Sequence, residues 1–262
     1  MDKRPIGIFD SGVGGLTVLR QVEKLLPKED IIYFGDTARV PYGNKSRDTI
    51  IKFTTQSILF LLRKKVKMII IACNTSSSLA LDSLKIAFSL PIIGVIESGV
   101  RKALESSTNN KIAVIGTKST ILSRSYQKEI RKVNKNVKVY VQSCPLFVPL
   151  AEEGLLRGKI VEATIKMYLK KIKDKKPGAV ILGCTHYPLL KKPIADYLAG
   201  VDIIDSAQQV ALQAKALLQN KSLLSQRGGN KEFYVSDEPA GFIKLAKLFL
   251  KREISGPKVV NV

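Results

Sequence analysis

Two apolar segments of this sequence end in the same way: Ile69-Ile70-Ile71-Ala72-Cys73-Asn74-Thr75 and Val180-Ile181-Leu182-Gly183-Cys184-Thr185-His186. An apolar run of this length, bounded by small or polar residues, is typical of a buried parallel strand. Each cysteine therefore follows the carboxyl end of a strand, where open α/β sheets bind their ligands. The next helix points its free N–H groups at the same place, so we expect a thiol there to ionise more easily than a free cysteine.

The repetition of this arrangement suggests acid–base chemistry performed from two sides of one substrate. A single cysteine at a strand end is more often a small buried hydrophobe. The polar residues that follow Cys73 and Cys184 are poor core residues, which favours a functional role for the pair. A metal site is disfavoured, because three cysteines and one histidine show no C-x-x-C or H-x-x-x-H spacing. Cys144, which precedes Pro145, is predicted to be structural.

The composition is that of an ordinary globular protein, with 262 residues, 45% hydrophobic and 25% charged. The first residues lack the apolar stretch of a signal peptide. No apolar run approaches the roughly 20 residues needed to span a bilayer. We therefore expect a cytoplasmic protein with reduced thiols and no membrane partner.

The chain is strongly basic, with 43 Lys and Arg against 22 Asp and Glu and a net charge of +21. Such a charge is typical of proteins that bind nucleic acids or anionic surfaces. The densest runs, 63–65 and 170–176, lie at predicted helix ends, where cations complement the helix dipole and remain solvated. With no recognition module and no aromatic residues interleaved with the basic ones, the charge is better explained as a solvated surface.

Strand and helix patterns alternate along the chain, which predicts an α/β fold with parallel sheets. The predicted strands cover 5–9, 30–34, 67–72, 92–95, 111–115, 137–141, 178–182, 202–204 and 232–235. The predicted helices cover 15–26, 46–64, 76–88, 98–106, 119–134, 158–173, 188–199, 207–219 and 239–250. The strand at Ile6 and the strand at Ile112 begin two similar series, and each series supplies its cysteine two strands later.

This internal repeat predicts two similar parallel-sheet α/β domains related by pseudo-twofold symmetry. We place the first domain at 1–97 plus 207–262 and the second at 98–206. The cleft between them would hold both cysteines, and such clefts are favoured ligand sites.

Other polar residues fall near the predicted cleft. The turn Asp10-Ser11-Gly12-Val13-Gly14-Gly15 follows the first strand, but it fits neither the dinucleotide fingerprint nor a phosphate loop. Asp10 is either a helix N-cap or an active-site acid. Pro41-Tyr42-Gly43 is suited to a lid over a small ligand, although surface turns of this kind are common. His186, the only histidine, is well placed to relay protons beside Cys184.

Together these motifs resemble glutamate racemase, a cofactor-independent family that makes D-glutamate for bacterial peptidoglycan and thereby supports cell shape. The resemblance spans nearly the whole chain. It is carried by Asp10 to Thr17, Tyr33-Phe34-Gly35-Asp36, Pro41-Tyr42-Gly43, Ala72-Cys73-Asn74-Thr75 and Gly183-Cys184-Thr185-His186-Tyr187-Pro188.

The resemblance implies a two-base mechanism without cofactor or metal. In the family, one cysteine removes the Cα proton and the other delivers a proton to the opposite face. Carried over, Cys73 deprotonates D-glutamate with help from Asp10, and Cys184 deprotonates L-glutamate with help from His186 and Glu152. The residues implied to bind substrate are Asp10, Ser11, Pro41, Tyr42, Gly43, Asn74, Thr75, Thr117, Thr185 and His186. The resemblance also implies a homodimer.

Alternative functions remain open at this point. A related amino-acid racemase, such as an aspartate racemase, would share the paired cysteines. A cysteine hydrolase or decarboxylase of related fold is weakened, because a single nucleophile needs no second matched cysteine. A basic, nucleic-acid-associated regulatory protein is the alternative outside enzymology. In this family, a nucleic-acid role would take the form of nonspecific binding or of binding related to DNA gyrase.

Overall fold

The computed structural model describes residues 2–254 and 256–262, and within them strands and helices alternate as the sequence predicts. The strands are β1 (Ile6–Asp10), β2 (Ile31–Gly35), β3 (Met68–Ile71), β4 (Ile92–Gly94), β5 (Lys111–Gly116), β6 (Lys138–Ser143), β7 (Ala179–Gly183), β8 (Asp202–Asp205), β9 (Lys231–Val235) and β10 (Lys258–Val259). The α-helices are α1 (Leu16–Leu25), α2 (Arg47–Arg63), α3 (Asn74–Leu79), α4 (Leu81–Ala87), α5 (Val95–Ser106), α6 (Lys118–Leu122), α7 (Ser125–Val133), α8 (Phe147–Glu152), α9 (Lys159–Asp174), α10 (Lys191–Tyr197), α11 (Ser206–Asn220) and α12 (Pro239–Leu250).

The strands form two sheets in which every neighbouring pair is parallel. The first sheet has the order β10-β9-β2-β1-β3-β4, and the second has the order β6-β5-β7-β8. The run β2-β1-β3-β4 matches β6-β5-β7-β8 position by position, so the internal repeat seen in the sequence is a repeat of topology. The predicted fold of two similar parallel-sheet α/β halves is confirmed. Cys73 follows β3 and Cys184 follows β7, which are corresponding strands of the two sheets.

The apolar character of the central strands explains why both faces of each sheet are covered by helices. All residues of β1, β3 and β7 are buried. In the first sheet, Ile8 and Ile70 belong to one apolar cluster and Phe9 and Ile71 to another, as alternation along a strand requires. Helices pack on both faces, and the carboxyl ends of the strands are left as the open edge.

The predicted elements differ from the observed ones in a few places. All nine predicted strands are present, and β10 was not predicted. The pattern over 76–88 is two helices, α3 and α4, and the pattern over 119–134 is α6 and α7, separated by a turn in which Arg124 has a φ of 56°. Helix α8 was missed because its segment Phe147-Val148-Pro149-Leu150-Ala151-Glu152 is short and contains a proline.

The two sheets divide the strands into two sets, and the predicted boundaries fall within α5 and in the first turn of α11. Strands β1 to β4, β9 and β10 build the first sheet, and β5 to β8 build the second. We therefore propose residues 1–97 plus 207–262 as the first domain and 98–206 as the second. No helix among the described residues is long and apolar enough to cross a membrane.

Candidate active site

A cavity of about 370 Å³ lies where the carboxyl ends of the central strands of both sheets meet. Each of four strands contributes a residue from just beyond its carboxyl end: Ser11 after β1, Cys73 after β3, Thr117 after β5 and Cys184 after β7. The volume falls within the range of small-molecule sites. The full lining is Ser11, Gly12, Val40, Pro41, Tyr42, Gly43, Asn44, Cys73, Asn74, Thr75, Thr117, Lys118, Pro145, Val148, Pro149, Glu152, Cys184, Thr185 and His186.

Cys73 lies directly before α3 and donates its thiol hydrogen to the hydroxyl of Ser11 at 3.5 Å. Burial raises its pKa to about 11, and the nearby charge of Asp10 adds to the rise, whereas hydrogen bonds with Ser11 and Ser76 lower it. The expectation of an easily ionised thiol is therefore wrong for Cys73. The helix N-terminus offers too little stabilisation to offset the loss of water and the like charge.

Cys184 is the first of three groups that lie in a row. Its sulfur lies 3.9 Å from Nδ1 of His186, and Nε2 of the same ring lies 2.9 Å from Oε1 of Glu152. Glu152 is the last residue of α8. That unpredicted helix brings the carboxylate to the histidine.

His186 is held in its charged form by these neighbours. Burial lowers its pKa, but the contacts with Cys184 and Glu152 outweigh burial and raise it to about 10. The imidazolium has two N–H donors, one facing the sulfur and one facing the carboxylate. It can therefore pass a proton to Cys184 or accept one back.

Asp10 lies behind the cavity wall instead of lining it. Its carboxylate accepts hydrogen bonds from the N–H of Gly12 at 3.1 Å and from the hydroxyl of Thr185 at 3.4 Å. Burial raises its pKa, and the charge of His186 opposes that rise. Helix α1 begins at Leu16 without a side-chain cap, so Asp10 stabilises the turn but does not cap the helix.

Close approach of the two halves explains two glycines beside the cavity, Gly14 and Gly43. A Cβ on Gly14 would lie 2.3 Å from the hydroxyl oxygen of Thr185 and 2.5 Å from Nδ1 of His186. A Cβ on Gly43 would lie 2.7 Å from that of Thr117. Only glycine allows these contacts without displacing a residue that lines the cavity.

Hydroxyl and amide groups form the wall between the two cysteines. The hydroxyl of Thr75 lies 3.0 Å from that of Thr117 across the junction of the halves. The side chain of Tyr42 is 2% exposed, and its hydroxyl donates to the buried carboxylate of Asp36. This bond fixes the predicted Pro41-Tyr42-Gly43 turn at the cavity, where all three residues line it.

The structure thus gathers every residue of the predicted site around one cavity, with Asp10 in the layer behind. Sequence reasoning missed Val40, Asn44, Lys118 and the apolar wall of Pro145, Val148 and Pro149. Lys118 begins α6 directly after Thr117, so its place beside a predicted site residue was the available signal. Cys144 is fully buried outside the lining, as its structural interpretation requires. Within the described part of the chain, no group of three or more His, Cys, Asp or Glu residues could hold a metal ion.

Comparison with known proteins agrees with this fold. The family model of the Asp/Glu/Hydantoin racemases matches residues 6–214. A glutamate racemase of Geobacter metallireducens is 45% identical over 253 residues, covering 95% of this chain and 94% of that protein.

Two solved structures are similar over the full length. The glutamate racemase of Francisella tularensis in complex with D-glutamate has a TM-score of 0.94 and 45% identity, covering 100% of this chain and 98% of that one. The isoform RacE1 of glutamate racemase from Bacillus anthracis has a TM-score of 0.96 and 35% identity, covering 100% and 99%. On this similarity of sequence and fold, the chain belongs to the Asp/Glu/Hydantoin racemase family, among its glutamate racemases.

Proposed function

We propose that this protein interconverts L- and D-glutamate by proton transfer at Cα between two cysteines. The observation that carries the proposal is the placement of Cys73 and Cys184. They follow corresponding strands of two sheets of like order, and both line one cavity. A substrate held between them presents opposite faces of Cα to the two sulfurs. Its D-glutamate would supply peptidoglycan synthesis, the role that the family resemblance implies.

The reaction removes one proton from Cα and delivers another proton to it. For D-glutamate, the Cys73 thiolate removes the Cα proton and the Cys184 thiol delivers a proton to the opposite face. For L-glutamate the two sulfurs exchange roles. Asp10 and Ser11 act on the Cys73 side, and His186 with Glu152 acts on the Cys184 side, where the imidazolium returns a proton to the sulfur.

The weak acidity of an amino-acid Cα–H is the chemical difficulty of this reaction. Donors fixed in advance in a water-poor cavity stabilise the charge that develops on the substrate. The hydroxyls of Ser11, Thr75, Thr117 and Thr185 supply such donors, and the amide of Asn74 is a further group for binding. We propose that they and the Pro41–Gly43 turn bind the ammonium group and the two carboxylates.

The raised pKa of Cys73 also needs an explanation in this mechanism. The ammonium group of a bound amino acid would bring a positive charge into the cavity and favour the thiolate. Substrate binding would therefore activate the base. We further propose that the protein acts without a cofactor, which is tested by its activity after treatment with a chelator. We also propose that it is a homodimer, which is tested by sedimentation.

Cysteine variants test the proposal most simply. Circular dichroism of L-glutamate should show racemisation by the purified, chelator-treated protein. Cys73→Ala and Cys184→Ala should each abolish it, because each leaves one face of Cα without an acid or base. Cys144→Ala is the matched control and should retain activity near the parent level. Appreciable racemisation by either Cys73→Ala or Cys184→Ala would contradict the proposal.

A further inference from the structure

Helix α3, which begins at Asn74 directly after Cys73, is held by the second half of the chain. At the start of α7, the hydroxyl of Ser125 donates to the carbonyl oxygen of Ser78 at 2.7 Å. The next residue, Tyr126, donates its phenol hydrogen to Oδ1 of Asn74 at 2.6 Å. Two consecutive side chains of one half thus bind the helix that carries the other half's cavity residues.

Tyr126 is a buried residue outside the cavity. It is 1% exposed and belongs to the apolar cluster beneath the second sheet. Its neighbours in that cluster are aliphatic side chains, among them Val100, Val114 and Ile130, and their packing leaves the ring and its phenol oxygen little freedom to move. The hydrogen bond to Asn74 is short and buried, which makes it costly to lose.

This hydrogen bond places the amide oxygen of Asn74 toward Tyr126. A side-chain amide has one acceptor oxygen and an NH2 group with two donors. With the oxygen taken by Tyr126, the NH2 group is the part of Asn74 left to face the cavity that this residue lines. A carboxylate accepts hydrogen bonds and donates none, so it matches an NH2 group and is repelled by an amide oxygen.

We propose that Tyr126 is a positioning residue that fixes Asn74 as a hydrogen-bond donor to a substrate carboxylate. The proposal rests on the proposed function for the identity of the substrate. Tyr126 touches no substrate itself and acts through Asn74. The carboxylate site is therefore assembled from both halves: one supplies the donor and the other sets its orientation.

The kinetic consequence is a change in substrate binding more than in chemistry. The carboxylate is present in both ground and transition states, so a donor to it contributes uniform binding. Loss of its orientation should raise KM and leave kcat nearly unchanged. A role of Tyr126 in packing alone would lower the amount of folded enzyme, with no change in KM.

Tyr126→Phe removes the donor and keeps the ring. We expect KM to rise about tenfold for both enantiomers, with kcat changed by less than about twofold. Tyr234→Phe is the matched control. Tyr234 is also buried and donates to Glu232 at 2.7 Å, but it lies outside the cavity lining. Tyr126→Phe with the parent KM, or with a loss confined to kcat, would overturn the inference.

A second measurement reports directly on the side-chain amide of Asn74. In ¹⁵N-labelled protein, the side-chain NH2 signals of Asn74 are identified by their loss in Asn74→Ala. We expect Tyr126→Phe to shift these signals in the free protein. We also expect racemic glutamate to shift them less in the variant than in the parent. Signals unchanged by Tyr126→Phe would overturn the inference. If the parent protein racemises no glutamate, the proposed function is wrong. The NH2 signals of the free protein would still test the orientation of Asn74.

Discussion

His186 and Glu152 form a pair in which Nε2 of the ring lies 2.9 Å from Oε1 of the carboxylate, while Nδ1 faces Cys184. The ring is buried, and the glutamate side chain is 40% exposed. The pair therefore connects a sulfur inside the cavity with a carboxylate at its rim. Through this connection a proton can pass to or from Cys184. The Cys73 side has instead the hydroxyl of Ser11 and the buried carboxyl of Asp10.

The charge of His186 can be measured without ambiguity, because the chain has one histidine. We expect its imidazole NMR signals to titrate with a pKa of about 10, so that the ring stays protonated through neutral pH. Glu152→Gln removes a negative charge and should lower this pKa toward the ordinary value of 6.5. Glu153→Gln, at the exposed neighbouring position, is the control and should leave it unchanged. Titration of the parent near 6.5 would contradict the assignment.

His186 should serve the Cys184 side in particular. His186→Asn should slow proton transfer at Cys184 more than at Cys73. Equilibrium fixes the ratio of the two kcat/KM values, so the comparison must use primary isotope effects with Cα-deuterated L- and D-glutamate. An equal effect on both proton transfers would leave His186 as a binding or structural residue.

The raised pKa of Cys73 predicts slow alkylation. The thiolate is the reactive form, and with a pKa of about 11 its fraction grows about tenfold for each pH unit below that value. The rate of modification of Cys73 by iodoacetamide, followed by peptide mass spectrometry, should rise in this way from pH 7 to 9.5. Asp10→Asn should increase the rate at a fixed pH, because it removes a like charge. A plateau below pH 9.5 would contradict the raised pKa.

The positive charge should act as a solvated surface. The lysines at the end of α9 and beyond it, Lys170, Lys171, Lys173, Lys175 and Lys176, are exposed. Binding of duplex DNA that depends on such side chains should be weak and should fall steeply with salt, because it depends on counterion release. Fluorescence anisotropy across a salt series measures this. A sequence-selective complex stable at about 150 mM salt would instead support a nucleic-acid function.

The sequence predicted the fold and the site in so far as both depend on local patterns. The apolar runs before Cys73 and Cys184 identify β3 and β7, and strand ends in parallel sheets converge on one edge. Helix α8 was missed because its proline and short length hide the helical period, although it brings Glu152 to His186. The pKa of Cys73 was predicted in the wrong direction, since burial and the charge of Asp10 are tertiary effects. The bond between Tyr126 and Asn74 joins residues 52 apart in the chain, and no local signal reports it.

The most direct test of the two-base account is the early-time fate of the Cα hydrogen in deuterated water. L-glutamate is incubated with the protein for a small fraction of the equilibration time, and the two enantiomers are separated and analysed by mass spectrometry. The account predicts one deuterium in the D-glutamate formed and almost none in the recovered L-glutamate, because the proton removed and the one delivered reside on different sulfurs. Label entering recovered L-glutamate as fast as D-glutamate forms would contradict it and indicate a single base.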